Sequence, residues 1–136
     1  MAELVGALPQ EVIIMNTLTL NLHLLMVTFY RPTAARHKIL IEANAFPSDR
    51  YVVRSQIDFH GYDPAEALIE AGIEYSNKPF PTDKMLELIT NCGFEISMVL
   101  LGGVNYYTGQ AFKLCEVCDT AREQGCVVGY DLAHAS

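Results

Sequence analysis

The chain has 136 residues, 51% hydrophobic and 18% charged, with 16 acidic and nine basic residues giving a formal charge of −7. This length suits one domain able to bury a core, and the composition is that of a globular protein rather than a disordered or collagenous one. Scattered basic residues under a net negative charge exclude a nucleic-acid surface, which needs clustered Lys and Arg.

The long apolar stretch from Val12 to Tyr30 is interrupted by Asn16, Thr17, Thr19, Asn21 and His23. It is too polar for a bilayer span and lacks the flanks of a signal peptide, so a cytoplasmic protein with no membrane partner is expected. The Asn/Thr cluster can cap a helix that runs through the following leucines and ends before Arg31-Pro32. Residues 37–43, HKILIEA, are β-branched and apolar and predict a strand. Phe46-Pro47-Ser48-Asp49 reads as a turn, and Arg50 to Phe59 as a helix closed by His60-Gly61.

Asp63 before Pro64 predicts a capped helix over Ala65 to Ala71, followed by loop from Gly72 to Pro81. Thr82 to Cys92 predicts a helix ended by Gly93, and Ile96 to Leu101 a strand broken by Gly102-Gly103. A loop from Val104 to Gly109 leads to a predicted helix from Gln110 to Gln124, and Val127-Val128-Gly129-Tyr130 reads as a buried strand. Alternating strands and helices predict an α/β fold with a mostly parallel sheet covered by helices on both faces. About three strands are visible, few for an open sheet, so the domain reads as incomplete, with exposed strand edges and poor solubility in isolation.

Cys115 and Cys118 have metal-type spacing, but no second pair or nearby histidine completes a zinc set. Helix packing accounts for them, no metal is expected, and all four cysteines should be free thiols. Dinucleotide, Walker and nucleophile-elbow motifs are missing from the sequence.

Ligands of open α/β sheets bind outside the carboxyl ends of the strands. Residues 46–49, Gly102-Gly103 and the segment from Asp131 to His134 should therefore meet there. The helix start at Thr17-Leu18-Thr19 offers an anion seat. Singly, each has an ordinary explanation: Thr19 as a cap, Phe46 as core, Asp131 as a turn residue, His134 as a surface histidine, Tyr106-Tyr107 as a packed loop. Together, an aromatic, an acid, a histidine and a phosphate-type helix end suggest a pyridoxal-phosphate site.

Four segments resemble kynureninase, a fold-type-I pyridoxal-phosphate enzyme: LVGALPQEVIIMNTLTLNLHLLM (4–26), ILIEANAFPSDRYVVRSQ (39–56), LLGGVNYYTGQAF (100–112) and GCVVGYDLAHA (125–135). The resemblance implies that Leu18 and Thr19 hold the cofactor phosphate, Phe46 stacks on the pyridine ring, Asp131 pairs with its nitrogen, and His134 lies close by. Pro47, Ser48 and Asp49 would continue the cofactor loop, without a specific role for Asp49. Gly102 stands where some relatives carry a cofactor-contacting serine, so contact there would come from backbone. The family's Schiff-base lysine follows a Tyr beyond the Asp-Leu-Ala-His motif, and Lys38, Lys78, Lys84 and Lys113 do not match that context.

The chain is thus expected to be an inactive internal fragment of the large, cofactor-binding domain, without catalytic lysine or small domain. For the complete enzyme the resemblance implies a homodimer that hydrolyses L-kynurenine, or its 3-hydroxy derivative, to anthranilate (or 3-hydroxyanthranilate) and L-alanine. That reaction serves tryptophan catabolism and NAD biosynthesis. The alternatives are a non-catalytic α/β binding domain on the same scaffold, or another fold-type-I enzyme such as a cysteine desulfurase or aminotransferase.

Overall fold

The computed structural model describes residues 1–72 and 78–135. A short helix α1 (Ala2–Val5) and a single 3-10 turn (Pro9–Glu11) precede α2 (Leu18–Phe29), β1 (Lys38–Glu42), α3 (Pro47–Phe59), α4 (Pro64–Ala67) and β2 (Leu68–Ala71). After these come α5 (Thr82–Cys92), β3 (Ile96–Gly102), α6 (Leu114–Glu123) and β4 (Val127–Asp131). The described strands form one four-stranded sheet in the order β2-β1-β3-β4, with every pairing parallel.

Apolar runs in β1 and β3 are continuous because both faces are covered. Ile39, Ile41, Met98 and Leu100 pack with Leu22, Met26, Val53 and Ile57 under α2 and α3. Leu40, Val99 and Leu101 pack on the other face with Met85, Ile89, Val117 and Ala121 of α5 and α6. The α/β class with helices on both faces is thus as the sequence predicts.

Four elements differ from expectation. The segment from Ala65 to Ala71 divides: Ala65 N–H donates to Asp63 Oδ1 at 2.8 Å, as the expected cap, but the helix stops at Ala67 and Leu68–Ala71 becomes a strand. A free edge of β1 offers hydrogen bonds in register with Ile39 to Glu42, and this outweighs helix propensity in so short a run. The expected turn at residues 47–49 is already the first turn of α3, since Pro47 is well suited to the first helical position and Phe46 is the residue before it. Helix α6 begins at Leu114, not Gln110: the Gln110 side chain donates to Phe80 O at 2.6 Å and accepts from Phe80 N–H at 2.8 Å, while Ala111 bridges to Val104. Part of the expected loop after Gly72 lies outside the described residues.

All four cysteines are free, with Cys115 and Cys118 on α6. Among the described residues no helix is long and apolar enough to cross a membrane, and no cluster of His, Cys, Asp and Glu has metal-binding geometry.

Candidate functional site

From β1 the chain moves outward to β2 and then returns past β1 to β3. This reversal is a topological switch point, and it opens a crevice between the loops that follow β1 and β3. Into it come Phe46 from the β1 side, Tyr106 from the β3 side, and His134 from beyond the neighbouring β4.

The three rings form one cluster. Phe46 and Tyr106 meet edge to face with centroids 5.1 Å apart, while His134 lies 5.6 Å from Phe46 and 6.1 Å from Tyr106. Phe46 stays 40% exposed, so core packing does not explain its place. The β4 turn approaches closely because residue 103 is glycine: a Cβ there would lie 2.7 Å from Ala135 Cβ and 2.8 Å from Leu132 Cδ2. The Gly103 N–H donates to Asp131 O at 2.8 Å, and Ala133 N–H donates to Asp131 Oδ1 at 2.9 Å, so Asp131 is fixed at both main chain and side chain.

Beside the rings sits a group of acids. Buried Asp49 shares a side-chain hydrogen bond with Asp131, and Ser48 Oγ donates to Asp49 Oδ1 at 3.1 Å. Burial, then the Asp131 hydrogen bond and charge, push the Asp49 carboxyl up to about 7, with Ser48 opposing. Glu42, buried at the end of β1, accepts the Gly102 N–H with both carboxylate oxygens at 3.2 Å. Desolvation raises its pKa against the lowering effect of the backbone hydrogen bonds.

At α2, Thr17 makes no side-chain cap, and Asn21 instead braces Asn16, accepting its N–H at 3.0 Å and donating to its carbonyl at 3.1 Å. The opening N–H groups of a helix have no intrahelical acceptor, so this end keeps its anion-binding character. Leu18 and Asp131 line one cavity of about 290 Å³ between α2 and β4. Thr19 is exposed on the same turn.

The structure therefore brings together Phe46, Asp131 and His134, with Pro47, Ser48 and Asp49 on the adjoining first turn of α3, and sets Leu18 on a cavity that Asp131 shares. Gly102 is paired with Asp131 in the β3–β4 register, and its N–H is committed to Glu42. Sequence reasoning passed over Glu42, Asn105 and Tyr106. Only an acid ending an apolar strand hinted at the first, and an aromatic pair in a glycine-bounded loop at the last.

The fold is shared with a fold-type-I enzyme: the apo structure of a cysteine desulfurase from Thermococcus onnurineus NA1 superposes with a TM-score of 0.65 at 14% identity, over 97% of this chain and 31% of that one. In sequence the chain is similar to kynureninases. It is 55% identical over 135 residues to that of Koribacter versatilis, 54% to that of Myxococcus xanthus and 50% to that of Nematostella vectensis, in each case over 99% of its own length. It spans 32% of the first two and 29% of the third. No family model matches the chain.

Proposed function

We propose that the chain is part of the cofactor-binding large domain of a kynureninase, and that its crevice holds pyridoxal 5'-phosphate. The observation that carries this reading is the meeting of Phe46 with the Asp49–Asp131 pair at the strand ends, in a chain about half identical to kynureninases throughout.

The residues suit the group. An exposed aromatic ring next to a carboxyl pair favouring one shared proton fits a flat, protonated heterocycle, and a helix start without a side-chain cap fits a phosphate. When bound, the cofactor would supply an electron sink for the reacting substrate carbon. Phe46 would lie against the ring, a contact worth about 1 kcal/mol beyond its burial. Asp131 would hold the proton on the ring nitrogen, and Asp49, carrying a proton of its own, would donate to Asp131 and keep it in place. Ser48 orients Asp49, His134 would close the near side of the site, and Leu18 and Thr19 would give backbone and hydroxyl donors to the phosphate.

The complete enzyme would add water across the Cβ–Cγ bond of L-kynurenine or its 3-hydroxy derivative, releasing anthranilate or 3-hydroxyanthranilate and L-alanine. Its lysine would come from beyond Ser136, so this segment alone would be inactive. The same reading makes the enzyme a cytoplasmic homodimer serving tryptophan catabolism and NAD biosynthesis.

The test compares absorbance spectra with added pyridoxal phosphate, before and after borohydride, for this chain and for a version extended through the downstream lysine. A reducible band only in the extended form is expected. A specific reducible band in the short chain would contradict the assignment, because one of Lys38, Lys78, Lys84 and Lys113 would then be carrying the cofactor.

A further inference from the structure

Tyr106 belongs to the ring cluster yet is 42% exposed, so burial does not account for its placement. Its neighbour Asn105 is 2% exposed and satisfied on both sides of its amide. Asn105 Nδ2 donates to the carbonyls of Ala43 and Asn44, each at 3.2 Å. Its Oδ1 accepts from Tyr107 N–H at 3.1 Å, Thr108 N–H at 2.9 Å and the Thr108 hydroxyl at 3.1 Å. Asn105 thus ties the loop after β3 to the turn after β1, where Asn44 holds a left-handed φ of 56° just before Phe46. The next residue, Tyr106, is delivered edge to face against Phe46 at an interplanar angle of 72°.

We infer that Tyr106, fixed by Asn105, is a positioning residue that braces Phe46 and His134 in the orientation in which they meet the cofactor ring. The inference rests on the proposed cofactor site. It gives the loop from Val104 to Gly109 a purpose that packing does not: an aromatic ring swings freely about its side-chain bonds unless a neighbour limits it, and a ring held in advance binds with less ordering cost.

The experiment uses the full-length polypeptide containing this chain, with variants Tyr106→Leu, Tyr106→Phe and Asn105→Asp. The readouts are the dissociation constant for pyridoxal phosphate and the circular dichroism of its bound absorbance band. Losing one aromatic contact should weaken binding about threefold to tenfold in Tyr106→Leu, with a diminished dichroic band. Tyr106→Phe, which keeps the ring, should restore both, and Asn105→Asp, which keeps the acceptor but loses the two donors, should resemble Tyr106→Leu. Wild-type affinity and dichroism in Tyr106→Leu would overturn the inference, as would a Tyr106→Phe defect equal to that of Tyr106→Leu. Should Asn105→Asp fail to fold, the partly exposed Tyr106 pair decides alone. A wild-type polypeptide that takes up no pyridoxal phosphate would overturn the cofactor reading itself, and this role with it.

Discussion

Asp49, in the first turn of α3, and Asp131, at the end of β4, share a side-chain hydrogen bond across the carboxyl ends of the strands. Two carboxylates so placed repel each other, and burial adds to the cost of charging both, so a proton is retained on Asp49 to about pH 7. The pair behaves as one acid carrying a shared proton, the form best suited to a cationic ring nitrogen.

A pH dependence follows. A carboxyl whose folded pKa lies above its unfolded value binds more protons when folded, so it lowers stability as pH rises from about 4, its unfolded range, to about 7. Asp49→Asn removes this group, and the variant without cofactor should gain in melting temperature relative to wild type as pH goes from 5 to 8, in increments of about one unit. A constant difference between the two melting curves across that range would contradict the shared proton.

Asp131→Asn keeps the shape of the side chain and removes its charge. In the full-length enzyme, turnover of kynurenine should fall about 100-fold or more, the scale of losing one preorganised electrostatic contact, while cofactor still binds. Steady-state kinetics beside a cofactor titration separates the two effects.

The packing of α5 against α6 depends on Gly93. A Cβ at this position would lie 2.5 Å from Gln124 Cβ and 2.6 Å from Ile89 O, and the backbone oxygen has no room to retreat. Gly93→Ala should cost about 1–3 kcal/mol, measured by urea denaturation.

Arg36 clamps the opposite end of the sheet, donating to Ile96 O at 3.1 Å and Gln124 O at 2.9 Å. Arg36→Ala leaves two carbonyls without their charged donor and should cost about 1–3 kcal/mol in the same measurement. It should leave cofactor affinity unchanged, because the clamp lies at the amino end of β3, away from the crevice.

Much of this architecture is legible from local pattern. The apolar runs of β1, β3 and β4 announce strands buried on both faces, and strand ends in a parallel sheet announce where Phe46 and Asp131 must go. Leu68–Ala71 was hidden because its strand character comes from the edge of β1, not from its own four residues. The delayed start of α6 was hidden in the same way, since Gln110 favours a helix until the Phe80 backbone claims its side chain. In the site, residue types and order are visible in sequence, whereas the partners of Asp49, Glu42 and Asn105 are set by tertiary contacts between distant segments.

The central claim is tested most directly by incubating the purified full-length polypeptide with pyridoxal phosphate and L-kynurenine or 3-hydroxykynurenine, and following release of the anthranilate product and alanine. Saturable, cofactor-dependent release of both products in equal amounts, abolished in the Asp131→Ala variant, is the predicted result. Cofactor-loaded protein that leaves both kynurenines intact, or that instead releases sulfur from cysteine, would contradict it.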